Sequence, residues 1–143
     1  MDNGYNDREV RRIKDPLILS MADWTEEQIP NGKFFTGTYS NEYSYKNGLH
    51  SDAAVLKDFE YGLRQAGFTG TYMVSLHDNG GEHIHVHAIL EATSDADKLP
   101  YFWQRNRGGY QFGDATHGAY VYVAKHAMKT GKNGDCRYKE NFH

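Results

Sequence analysis

Apolar and polar residues alternate with period two over residues 34–40, 71–76 and 83–90, and that period predicts three strands. In the first, Phe34, Thr36 and Thr38 share one face, while Phe35 and Tyr39 share the other. Pro30-Asn31-Gly32 marks a turn just ahead of it. A helical period follows: Ser51 or Asp52 caps a helix running to about Gln65, with Ala54, Leu56, Phe59, Leu63 and Ala66 apolar and Gly67 as the stop. The second strand ends at His77, and Asp78-Asn79-Gly80-Gly81 is a hairpin signal that leads into the third. His77 is therefore expected beside that third strand across an antiparallel pair. Beyond Glu91, Thr93 or Ser94 starts a short helix to about Arg105 with Pro100 inside it, and Tyr110-Gln111-Phe112 reads as a short strand. Thr116 caps a last helix, Gly118 to about Lys129. Residues 17–21 suit a short strand or helical turn, and residues 41–51 a polar loop. Residues 1–16 read as a solvated segment that frays, and the tail from Thr130 as loop. The order predicts an α+β fold, one domain over residues 1–143, with an antiparallel sheet and helices packed on it.

The third strand carries the first candidate chemistry. His83, His85 and His87 alternate with Ile84, Val86 and Ala88, so one face is apolar and the other presents three imidazoles. Neutral imidazole is the commonest protein ligand for metals, and alternate residues of a strand can aim at one ion. The second candidate is the last helix, where Tyr122, Lys125, His126 and Lys129 stand at i, i+3, i+4 and i+7 and form one polar stripe. Val121, Ala124 and Met128 are left to pack on the sheet. An ammonium or a metal near Tyr122 would favour its phenolate, which is otherwise scarce at neutral pH.

Composition narrows the partners. A net charge of −3 argues against bulk electrostatic binding to duplex nucleic acid. Eleven tyrosines can stack on unpaired bases, although tyrosine also fills strand positions well. The single cysteine, Cys136, excludes an internal disulfide and a cysteine-rich zinc module. With no long apolar run and a charged start, neither a membrane span nor secretion is expected, and the expected location is cytoplasmic. There is no phosphate-binding glycine loop.

Three stretches together resemble the HUH endonucleases, in particular the single-tyrosine rolling-circle replication initiators (Rep proteins) of small plasmids and viruses. Residues 34–39, Phe-Phe-Thr-Gly-Thr-Tyr, are similar to that family's first motif. His85-Val86-His87 with the apolar run after it is similar to the second, and Tyr122-Val123-Ala124-Lys125 to the third. The resemblance covers roughly residues 33–129. It implies an RRM-like or ferredoxin-like sheet of about five antiparallel strands, the histidines on a central strand and the tyrosine on a facing helix. It implies a divalent metal, Mn2+ or Mg2+, on His77, His85 and His87. His83, Glu82 and His126 are secondary candidates for metal or DNA, and Asp78 a weaker one. Tyr122 would be the nucleophile and Lys125 its charge partner, with Thr36, Thr38, Tyr39 and Lys129 touching DNA. The implied reaction is nicking and religation of single-stranded DNA at an origin, open or presented on a hairpin, through a 5′-phosphotyrosine. A homodimer and a host or viral helicase or polymerase are the implied partners.

The chain departs from the family where phage initiators have a second tyrosine, since His126 stands there. It also shows no P-loop, whereas many initiators continue into a helicase domain; unwinding is then expected of a partner or of a longer protein of which this is the nuclease part. Several readings stay open. Residues 83–89 also match the histidine-triad nucleotide hydrolase pattern, which needs no metal. Within the HUH class, a relaxase would use Tyr5, and a single-tyrosine transposase would carry glutamine on the tyrosine helix. A metal-stabilised module that binds single strands without cutting them is the non-enzymatic alternative.

Overall fold

Local signals fix most of the elements. The computed structural model describes residues 5–78, 83–129 and 137–142. Asn6 caps α1 (Asp7–Arg11), accepting from the amides of Arg8 and Glu9. Asp15 caps α2 (Pro16–Gln28), with Pro16 in the first turn where its missing N–H costs nothing. Then come β1 (Lys33–Thr38), α3 (Asn41–Lys46) and α4 (Asp52–Gln65). Ser40 and Ser51 cap the two helices through the amides of Tyr43 and Ala54. Gly67, at φ 77°, ends α4 in a Schellman motif: Phe68 N–H reaches Leu63 O at 2.9 Å and Gly67 N–H reaches Arg64 O at 3.0 Å.

The hairpin strands β2 (Tyr72–Asp78) and β3 (Ile84–Leu90) follow, then a 3-10 turn at Ala96–Lys98, α5 (Leu99–Asn106), β4 (Tyr110–Asp114), α6 (His117–Ala127) and β5 (Tyr138–Glu140). The five strands form one antiparallel sheet in the order β4-β1-β3-β2-β5. This is the expected α+β class, with six α-helices among the described residues packed on the sheet. The histidine strand β3 lies at its centre.

Alternation along the strands divides two cores. Val74, Leu76, Val86, Ala88, Leu90 and Phe35 face α4 and α5. Phe34, Met73 and Ile89 face α2 and α6 on the opposite side. Trp103 of α5 lies on β1 at Gly37, where an added Cβ would come within 2.5 Å of the indole, and its Nε1 donates to Thr38 O at 3.1 Å.

The sequence expectations need six adjustments. Residues 17–21 are not a strand but the first half of α2, and residues 41–46 of the expected loop are helical. Residues 7–11 of the segment expected to fray form α1. Pro100 sits in the first turn of α5 rather than within a longer helix, because the 3-10 turn precedes it. The last helix ends at Ala127, and Met128 is exposed rather than packed. The tail is not all loop, since residues 138–140 pair with β2 as an edge strand. The turn at residues 79–82 and the stretch 130–136 lie outside the described residues.

Candidate metal centre

Strand register aligns the polar residues of the α6 face in rows. His87 of β3 stands opposite Thr36 of β1 and Ser75 of β2, and Thr36 in turn stands opposite Gln111 of β4. One pleat along, His85 stands between Thr38 and His77. The hairpin thus makes His77 a cross-strand neighbour of the histidine strand, as expected. Two threonines hold the two strand histidines: Thr36 Oγ1 lies 3.1 Å from His87 Nδ1, and Thr38 Oγ1 lies 3.0 Å from His85 Nδ1.

The third side of the site comes from α6. His126 is 2% exposed, and its ring stacks on His77 with centroids 4.1 Å apart. It lies 5.3 Å from the His87 ring, and His77 Nδ1 is 3.3 Å from His87 Nε2. One nitrogen from each of His77, His87 and His126 falls within 4.8 Å of the others, close enough to hold one metal ion. Neither nitrogen of His126 has a hydrogen-bond partner among the described residues, and Ser75 Oγ is likewise buried and unpaired. An unsatisfied buried polar group costs about 1–3 kcal/mol. An imidazole placed there without a protein partner fits a lone pair kept for a cation.

The electrostatics agree with that fit. Burial, helped by the neighbouring His126, His77 and His85, holds the His87 imidazolium well below its ordinary range. Burial, with His77 and the cations Lys129, Lys125 and Arg137 around it, pushes His126 down to about 3. Both rings are neutral at pH 7 and able to ligate. The donor set is all imidazole, with no carboxylate among the three. It suits a first-row transition ion better than a hard alkaline-earth ion.

Tyr122 stands beside this trio. Its ring meets His87 edge-on at 4.8 Å and His126 at 4.7 Å. With Thr36, Thr38, His77, His85, His87, Gly109, Tyr110 and Gln111 it lines a cleft of about 330 Å³. Only 7% of Tyr122 is exposed, because Tyr5 stacks on it at 5.5 Å and Phe34 packs edge-on. Burial raises its pKa above the ordinary phenol value.

The other expected site residues divide. Thr36, Thr38 and His85 line the cleft, but His85 is outside the closest trio, its ring 5.9 Å from His77 and 6.4 Å from His87. His126, a secondary candidate by sequence, takes the place beside His77 and His87 that was expected of His85. His83 is exposed and precedes the strand. Lys125 turns to α1, where its ammonium pairs with Glu9. Lys129 is exposed beyond the helix end. Tyr39 is not a surface contact: it is fully buried in the opposite core, its ring tilted against Trp103 at 4.8 Å. Glu82 and the Asp78 side chain lie outside the described residues. Tyr5 directs its hydroxyl to Thr116 Oγ1, 2.5 Å away at the start of α6, rather than to the histidines.

The polar stripe on α6 faces protein for most of its length. Ala119–Ala124, His126 and Ala127 are all buried, so the helix is enclosed nearly all round and its polar groups face protein. Sequence reasoning missed Gln111 and Tyr110; the signal was the short β4 pattern, whose register with β1 could not be assigned. No family model matches the chain, and no curated protein and no solved structure matches it either. No helix among the described residues is long and apolar enough to cross a membrane.

Proposed function

We propose that this protein is a metal-dependent endonuclease and strand transferase acting on single-stranded DNA, with Tyr122 as its nucleophile. One observation carries the reading: a tyrosine at the edge of a cluster of three imidazoles, in a cleft lined by the sheet and by Tyr122 of α6. Histidine clusters alone serve many purposes. A phenol packed against two of the three rings limits them, because phenol becomes a useful nucleophile only where its anion is stabilised.

His77, His87 and His126 would hold the ion, Mn2+ in preference to Mg2+, with His85 at the cleft wall as an added ligand or a phosphate contact. When bound, the ion supplies positive charge that offsets the negative charge of the phosphate and of the phenolate. Tyr122 loses its proton and its Oη attacks phosphorus in line. The bond between phosphorus and the 3′-oxygen breaks, and that oxygen takes a proton to become a free 3′-hydroxyl. The product is a 5′-phosphotyrosine, and attack by a 3′-hydroxyl on it reverses the step. Thr36 and Thr38 hold the strand histidines in place. Lys125 contributes through the field around α6 while paired to Glu9. The resemblance to Rep initiators supports an origin sequence as substrate and a second protomer, helicase or polymerase as partner.

The burial of Tyr122 under Tyr5 favours a second reading, a metal-stabilised module that binds single strands and does not cut them. One experiment separates the two. The protein is incubated with Mn2+ and a randomised single-stranded DNA pool, and covalent protein–DNA adducts are resolved on a denaturing gel. The expected result is an adduct that requires the ion, disappears in Tyr122→Phe and falls at least about ten-fold in His126→Ala. An adduct that persists in Tyr122→Phe overturns the nucleophile. Retention of single strands with no adduct at any metal concentration selects the binding module.

A further inference from the structure

A second cavity, of about 440 Å³, lies on the other side of the sheet edge. Tyr43, Lys46, Asn47, Tyr61, Gln65 and Arg107 form its main walls. Arg107 is its anchor. The guanidinium is 1% exposed, its Nε donates to Asp58 at 2.8 Å, and it lies over the rings of Tyr43 at 5.2 Å and Trp103 at 5.4 Å. Asp58 also accepts from the Tyr43 hydroxyl at 2.7 Å. The cation is thereby neutralised by a carboxylate within the fold, and Lys46 shares the wall with the acidic Glu42. Such a cavity has little pull on a phosphate.

Its amides are set for something flat and polar. Arg107 Nη1 donates to Gln65 Oε1 at 2.9 Å, which leaves Gln65 Nε2 as a donor held in place. Asn47 Nδ2 donates to Tyr43 O at 2.9 Å, which leaves Asn47 Oδ1 as an acceptor. Tyr61, half exposed at the rim, offers an aromatic face, with Arg64 5.8 Å from its ring. A held donor, a held acceptor and an aromatic plane match the edge and face of an unpaired nucleobase.

The cavity also adjoins the histidine cleft. Thr38 N–H bonds to Gly109 O at 2.9 Å and Ser40 N–H to Arg107 O at 2.8 Å, so the segments 38–40 and 107–109 run together. Thr38, Gly109 and Tyr110 line the cleft at one end of this pair, and Ser40, Asn106 and Arg107 line the second cavity at the other. At Gly109, between them, an added Cβ would meet nothing within 4 Å. We infer that a single strand seated in the cleft passes over this open ledge and places one unpaired base in the cavity of Tyr43, Tyr61 and Gln65.

This inference rests on the proposed action on single-stranded DNA, and its test separates the two. Fluorescein-labelled dT12 is titrated with the full chain carrying Tyr122→Phe, so that binding is read without cleavage. Tyr61→Ala and Gln65→Ala are compared in that background. Tyr61 and Gln65 are exposed side chains, and circular dichroism checks that both variants stay folded. A parallel arm uses 5-bromodeoxyuridine in place of thymidine and maps photocrosslinks by mass spectrometry. The expected result is a loss of affinity of about five-fold or more in Tyr61→Ala, a smaller loss in Gln65→Ala, and a crosslink to Tyr43 or Tyr61. Unchanged affinity in both variants, or crosslinks confined to cleft residues, overturns the second subsite and leaves the nuclease reading standing. Absence of dT12 binding by the parent chain overturns both.

Discussion

At His87 a single hydrogen bond decides which nitrogen is left for the ion. With the Thr36 hydroxyl accepting from Nδ1–H, the Nε2 lone pair faces His77, 3.3 Å away. Thr36→Val keeps the shape and removes the acceptor. Divalent-ion affinity, measured by calorimetric titration with Mn2+, is expected to fall about 10–100-fold, with the circular dichroism spectrum unchanged. An unaltered affinity would mean that the threonine is only strand packing. Alternation along residues 83–87 was enough to read which face holds the imidazoles, and the hairpin signal at residues 78–81 that His77 lies beside them. It could not rank His85 against His126. Helical spacing put His126 in one stripe with Tyr122, but spacing alone does not say whether a stripe meets water or a sheet. The clue lay in the neighbours: Ala119, Val121, Val123, Ala124 and Ala127 leave no polar face on which a histidine could be solvated.

Among the elements, the N-terminal segment has the least expected position. Tyr5 stacks on Tyr122 and Glu9 of α1 pairs with Lys125, so this segment covers both residues that the sequence marks as catalytic. Tyr5→Ala is expected to remove about 1 kcal/mol of aromatic pairing and to uncover the Tyr122 ring. Nitration by tetranitromethane, mapped by mass spectrometry, should then rise at Tyr122 relative to the parent protein. Equal nitration in both would show that the cover lies elsewhere. The strands and α4 were legible because their periods and caps agree, as at Ser51 and Gly67. The Asp15-Pro16 start of α2 was present in the sequence as a cap followed by proline, but five apolar-rich residues after it fit a strand as well. Nothing in three residues could announce β5, whose pairing with β2 depends on tertiary placement.

On the scale of the whole molecule, the buried histidines set the response to acid. In the metal-free protein, His126 titrates at about 3 and His87 well below its ordinary value, whereas in the unfolded chain both titrate near 6.5. Between those values the unfolded chain binds protons that the folded one does not, so stability falls as pH drops below about 6.5. Each group contributes up to about 1.4 kcal/mol per pH unit over the range in which it is protonated only in the unfolded state. Urea midpoints should therefore fall steadily from pH 7 to pH 5 and move little from pH 7 to pH 8. His87→Phe with His126→Phe should flatten that slope; an equally steep slope would place its source in other groups.

The ligands come from different parts of the chain. His77 and His87 belong to the central hairpin, and His126 to the helix laid across it. An ion held among them would work as a clasp between two layers as well as a reagent. Drawing it out with a chelator would slacken the same seam that aims Tyr122. If the proposed strand transfer holds, melting temperature and its rate would then decline along one metal titration curve, and a cell short of that ion would lose the protein's firmness and its reactivity together.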